Sequence, residues 1–218
     1  MNRRPLSLVT GVLSLALILP ATIPAQATKP IQLVAPQTDG GKPLMQALKQ
    51  RRSARAFSPE KLPAQMLANL LWAAFGVNRP ESGGRTAPTA SNRQEIDVCV
   101  ASADGLVLYE PKGHALHPIL PEDIRALTGR QAFVKDAAVN LIYVADLANM
   151  GQLAAADRDL YSAAATGFIS QNVYLYCASE GMATVVRASI DRPALAKAMG
   201  LRPDQKIILA QSVGYPRQ

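Results

Sequence analysis

Residues 160–180, LYSAAATGFISQNVYLYCASE, carry no charged side chain before the last one and run directly into Gly181. That pattern reads as one long helix closed by a glycine cap. A helix that is apolar on nearly every side must be covered, by the rest of its own chain or by a partner. The other elements therefore have to wrap this segment. Any cover they leave incomplete suits a second copy of the chain.

Those elements are mixed in kind. Residues 44–52 read as a helix with Leu44, Met45 and Leu48 on one face. Residues 63–75 read as a second helix, with Met66, Leu67, Leu70 and Leu71 at helical spacing and Gly76 as a cap. Strand-like runs occupy 96–101 and 106–109, joined by the turn Ala103-Asp104-Gly105, and also 138–145, 183–190 and 206–213. Short helices are expected over 121–127 and 193–199. Residues 78–94 are polar and rich in Gly, Pro, Ser and Thr, as expected of a long functional loop. Strands and helices do not alternate strictly, which favours an α+β fold.

The first residues do not belong to that fold. MNRRPLSLVTGVLSLALILPATIPAQA has a basic start, an apolar run and Ala25-Gln26-Ala27 at its end, the pattern of a cleaved signal peptide. The apolar run is too short to read as a transmembrane span, so no stable membrane anchor is expected after cleavage. The expected organisation is a signal peptide over 1–27, a flexible leader over 28–43 and one domain over 44–218. Export to the periplasm or beyond follows, and Arg3-Arg4 allows the twin-arginine route.

The formal charge is +7 and hydrophobic residues make up 49%, enough for a core. No Lys/Arg run is long enough for a nucleic-acid arm, so the excess is scattered surface charge or serves an anionic ligand. Cys99 and Cys177 read as two buried free thiols. With His114 and His117, in a loop-like stretch, they give no metal-ligand spacing.

Arg51, Arg52 and Arg55 gather with Ser53 in the run RRSARAF, closed by Phe57. Arg51 and Arg55 would share a face if the helical turn continued. Guanidinium forks fit phosphate oxygens. A basic helix end is also favourable with no ligand at all, and the residues alone leave both readings open. The chain shows no Gly-x-Ser-x-Gly elbow, no Walker loop and no zinc spacing, and the pair Asp157 and Asp159 supports little by itself. With no evident nucleophile or acid/base pair, an enzyme built on this chain would rely on a cofactor.

RRSARAF, the loop APTASNRQ (87–94), the helix TGFISQNVYLYCASEGM (166–182) and the terminal SVGYP (212–216) together resemble the FMN-dependent nitroreductase family. LLWAAFGVNRP and GGRTAPTAS are most similar to its SagB/ThcOx-type branch of peptide-azoline oxidases. The resemblance implies a central antiparallel sheet flanked by helices and a homodimer with FMN at its interface. It implies that Arg51 grips the FMN phosphate with Arg52 and Ser53 beside it, and that Arg55 reaches the flavin N1/O2 edge. Pro88, Thr89, Ala90 and Asn92 would pack on the flavin from the second subunit. Gln131 would meet its pyrimidine edge, the backbone of Ala188 and Ser189 its O4 and N5, and Arg217 the phosphate. Many members carry an acidic residue and glycine where Ala188 and Ser189 stand, and more basic residues after Gly-Tyr-Pro. The implied activity is hydride transfer through FMN between a donor such as NAD(P)H and a small-molecule or peptide acceptor. The runner-up is a non-catalytic exported domain that keeps the fold and binds a flavin or another ligand. The loops 109–121 and 146–160, where the family varies, carry no recognisable signature.

Overall fold

The computed structural model describes residues 29–217. The signal-peptide reading and its Arg3-Arg4 pair lie outside the described residues. In chain order the elements are β1 (Ile31–Gln32), α1 (Leu44–Gln50), α2 (Ala64–Phe75), β2 (Val77–Arg79), β3 (Gly84–Arg85), β4 (Ile96–Ser102) and β5 (Gly105–Glu110). There follow β6 (Ala115–Leu120), β7 (Val139–Asp146), α3 (Ala155–Glu180), β8 (Ala183–Arg187), α4 (Arg192–Met199) and β9 (Gln205–Gly214).

Seven strands form one sheet in the order β1-β6-β5-β4-β7-β9-β8, and every neighbouring pair is antiparallel. The expected α+β architecture with a central antiparallel sheet is therefore present. Alternation of side chains across the pleat gives each central strand two buried faces. On β4, Val98 and Val100 face the main core, where α3 contributes Ala165, Ile169, Val173 and Cys177. Cys99 and Ala101 face the other way, toward Leu195 and Met199 of α4. Helices α1 and α2 pack against α3, so that α3 is sandwiched between them and the sheet. Both cysteines are free and buried, as expected, and they belong to cores on opposite faces.

The long helix begins earlier than its apolar run, at Ala155, because a polar turn containing Asp157 precedes it. Its burial within the chain is one-sided. Leu160 and Phe168 of α3 stay exposed, as do Leu44, Met45 and Leu48 of α1.

Several expectations are corrected by pairing that no local pattern announces. Residues 109–121 are not an open loop. Glu110 pairs with Ala115 and the chain returns as β6, in which His117 and Pro118 interrupt the strand signal. Residues 121–127 do not form an α-helix, and only a 3₁₀ turn over Arg125–Thr128 appears. Residues 78–94 contain the small β2–β3 hairpin. Strand β8 stops pairing at Arg187, short of 190.

The segment expected as a flexible leader is tied down. Ile31 and Gln32 pair with Leu116 and Ala115 of β6. Further along, the Gln37 amide donates to Asn69 Oδ1 at 2.8 Å and the Lys42 amide to Ser179 Oγ at 2.7 Å. Among the described residues no helix is long and apolar enough to cross a membrane.

Candidate active site

The arginine run is positioned by its last residue. Helix α1 ends at Gln50, and Arg51 caps it in an extended conformation, its amide bonded to Ala47 O at 2.8 Å. From there the backbone leaves the helix and lies along β8 and the C-terminal segment. Ala54 N donates to Thr184 O at 2.9 Å, Ser58 N to Tyr215 O at 2.9 Å, and Arg217 N to Ala56 O at 3.2 Å. Phe57, 1% exposed, fills a small core with Ala137, Ala183 and Val185. This anchoring corrects the expectation that Arg51 and Arg55 share a helical face. The hydrogen bonds that a further turn would need go to the sheet instead.

The result is a cavity of 460 Å³ lined in part by Lys49, Arg51, Arg52, Tyr174, Thr184 and Pro216. None of its lining residues is a carboxylate. Among the described ion pairs none involves Lys49, Arg51, Arg52 or Arg55. The Arg51 guanidinium lies 5.2 Å from the Tyr174 ring centroid, a cation–π contact that holds it without neutralising it. The Tyr174 hydroxyl accepts from Val186 N at 3.0 Å and shares a 2.8 Å hydrogen bond with Ser53 Oγ. Clustered cations, a hydroxyl and no competing acid make a site for an anion such as phosphate. Arg55 is exposed beyond the cavity. Arg217 does not line it, and its guanidinium pairs with Asp136 at 3.4 Å.

Gln131, Ala188 and Ser189 come together in a second group. Ala188 and Ser189 follow the last pair of β8 and are exposed. Ser189 O accepts from Arg130 N at 3.0 Å, which holds segment 128–131 against the strand end. Gln131 Oε1 is buried with no hydrogen-bond partner among the described residues. The side chain of Arg187, 5% exposed, lies against segment 128–131, donating to Thr128 O at 2.6 Å and to Asn140 Oδ1 at 2.7 Å. Burial lowers its pKa to about 10, so it remains protonated at neutral pH.

The loop of Pro88, Thr89, Ala90 and Asn92 forms a third group. Ser91, Asn92 and Gln94 adopt φ of 51°, 53° and 51°, the left-handed region that non-glycine residues rarely visit. Such geometry persists only where surroundings impose it. Here Thr89 Oγ1 accepts from Gln94 N at 2.9 Å, and the Gln94 side chain joins Arg85 Nε at 3.0 Å to Gly83 O at 3.0 Å. These bonds brace the loop while Pro88, Ser91 and Asn92 are exposed to solvent. The next residue, Glu95, is wholly buried, and among the described residues neither carboxylate oxygen has a hydrogen-bond partner.

The cavity beside Arg51 and Arg52 is lined by the first group without Gln131, Ala188, Ser189 or the loop of Pro88. Sequence reasoning missed Tyr174, hidden inside an apolar helix, and Arg187. The signal for Arg187 was available: it is the lone charge in the run ATVVRASI.

Comparison with known proteins gives a consistent answer. The Nitroreductase family profile matches residues 48–215. A nitroreductase-type protein of Methanocaldococcus jannaschii is 30% identical over 152 residues, spanning 65% of this chain and 76% of its own. A crystal structure of a nitroreductase-type protein from Ralstonia eutropha JMP134 superimposes with a TM-score of 0.84 at 41% identity, covering 88% of this chain and 92% of that one. A nitroreductase-type protein of Desulfovibrio desulfuricans, solved in complex with FMN, shares the fold with a TM-score of 0.60 at 23% identity, over 82% and 89% of the two chains.

Proposed function

The chain belongs to the nitroreductase family, and on that premise we infer that it is an FMN-dependent oxidoreductase. The observation that carries this reading is the cavity beside Arg51 and Arg52, cationic and free of carboxylates. Arg51, Arg52 and Ser53 would hold the phosphate, with Tyr174 fixing the arginine from below. Arg55 would face the flavin N1/O2 edge and Gln131 the pyrimidine edge, where its unpaired buried Oε1 offers an acceptor to a ring N–H. The exposed end of β8 leaves the backbone of Ala188 and Ser189 to face O4 and N5. Arg217 stands next to Pro216 at the cavity rim, and its pairing with Asp136 makes it a secondary phosphate contact at most.

Bound FMN would supply a two-electron carrier that accepts hydride at N5 and passes it on. The chain's own contribution is to hold the cofactor, to place fixed donors where negative charge develops, and to leave one ring face open to small molecules. NAD(P)H is the expected donor, and a nitroaromatic, a quinone or a peptide heterocycle the acceptor class. The motifs LLWAAFGVNRP and GGRTAPTAS favour the SagB/ThcOx-type branch.

A homodimer completes the site in this reading. The projecting loop of Pro88, Thr89, Ala90 and Asn92 would reach the flavin of the other copy. The exposed apolar residues Leu44, Met45, Leu160 and Phe168 would form the contact. The visible spectrum of the purified protein mixed with FMN tests the reading. A bound-flavin spectrum that bleaches with NADPH or dithionite and returns with an acceptor is expected. Protein that takes up no FMN would reject it.

A further inference from the structure

Among the described residues Arg187 is a buried cation without a counter-ion. Its Nη1 donates to the Thr128 carbonyl. Its Nη2 reaches Asn140 Oδ1 at 2.7 Å, Ser212 Oγ at 3.1 Å and Thr128 Oγ1 at 3.3 Å. Its Nε–H is buried with no partner. Every acceptor is neutral, and none of the described ion pairs includes this side chain. Buried charges are normally paired, because an isolated one retains its full desolvation penalty.

The surroundings are shaped to keep it there. Gly129 passes so close that a Cβ would collide with Nη1, and the same Cβ would lie 3.1 Å from Gln131 Oε1. Ser212 Oγ donates to Asn140 Oδ1 at 2.6 Å, and Asn140 Nδ2 to Val134 O at 2.7 Å, so the acceptors are themselves oriented. Strand β8 carries the guanidinium directly before Ala188 and Ser189, and the Arg130–Ser189 bond closes the unit from the other side. A stability device alone would favour a carboxylate partner or an apolar side chain at this place. An uncompensated charge instead keeps its field, which in a poorly screened interior acts on neighbouring groups.

We propose that Arg187 is a positioning residue of the cofactor site. It clamps segment 128–131 to the end of β8, and its unneutralised charge favours the reduced form of FMN bound beside Ala188 and Ser189. The inference rests on the flavin reading above and deepens it.

The test uses full-length protein loaded with FMN. Asn140→Asp places a carboxylate where Arg187 already donates, so that contact survives and the charge is neutralised, while the Asn140 Nδ2 bond to Val134 O is lost. The binding preference for reduced over oxidised FMN should fall about tenfold, a midpoint potential lower by about 30 mV for the two-electron couple. Arg187→Gln, which removes the charge and keeps a polar side chain, should shift it the same way, and Arg187→Lys should restore the wild-type potential. Unchanged potentials in Asn140→Asp and Arg187→Gln, even with altered melting temperatures, would reduce Arg187 to a structural residue and overturn the proposal. Wild-type protein that binds no FMN would sink the functional reading as well. Wild-type protein that binds FMN beside unshifted variants would sink only this inference.

Discussion

Among the described residues Arg51 and Arg187 both lack a carboxylate partner, but their settings are opposite. Arg51 leans on the Tyr174 ring at the mouth of a cavity, where water and incoming ligands can solvate it. Arg187 lies under the sheet with neutral acceptors on two of its nitrogens. A solvated cation costs the fold little and is free to bind an anion. A buried one is useful only through its field and through the segments it ties together. Equal formal charge thus implies different measurable roles: ligand affinity for the first, electrostatic bias for the second.

Phe57→Ala would break the comparison most severely, because Phe57 anchors the backbone that carries the exposed arginines. Removing a fully buried phenylalanine should cost about 3–5 kcal/mol in a denaturant melt, and FMN affinity should fall in parallel. A melt matching wild type would show that the segment is held by its hydrogen bonds alone. Arg51→Ala should leave the melt unchanged and weaken FMN by about ten- to a hundredfold, or roughly 1.5–3 kcal/mol, when apo-protein is titrated. An unchanged dissociation constant would return Arg51 to the role of a solvated helix end.

Tyr174→Phe keeps the ring under Arg51 and removes the hydroxyl shared by Ser53 and Val186 N. A loss of about 0.5–1.5 kcal/mol is expected in urea, with a smaller effect on FMN than Arg51→Ala gives. A larger effect on FMN would make the hydroxyl, not the cation, the main contact. The smallest effect belongs to a third kind of arginine, one that is paired. Arg125 donates to Asp123, which holds that carboxyl below its usual range. Its folded pKa lies below the unfolded value, so the stabilisation is present above the unfolded pKa and fades as the pH falls through the folded one. Melts across this acid range should lose a small increment that Asp123→Asn abolishes at every pH, and an identical pH slope in the variant would contradict the pairing.

Much of the fold was legible because its signals are local. Helix α3 announces itself by an uncharged run, and β7 and β9 by apolar stretches whose pairing buries both faces. Strand β6 was not legible, since His117 and Pro118 blur its alternation and only the partner β5 defines it. Strand β1 has two paired residues, too few for any pattern. The site divides in the same way. RRSARAF is a contiguous cluster and stands out, whereas the Arg187 network draws Thr128, Asn140 and Ser212 from three distant segments. That Arg51 and Arg55 part company also follows from tertiary bonds, those of Ala54 to Thr184 and of Arg217 to Ala56.

The two borders of the sheet have a consequence for how copies can meet. On β8 the Thr184 carbonyl is taken by Ala54 N and the Val186 amide by Tyr174, so the outer rim offers no run of free groups. At the opposite border β6 is overlaid by the two-residue β1, and Pro118 has no amide to donate. Edges that are short, capped or proline-bearing resist templating by another strand. Continuous sheets across molecules and fibrillar stacking are thereby disfavoured. The exposed helix residues Leu44, Met45, Leu160 and Phe168 offer apolar surface that needs no strand pairing.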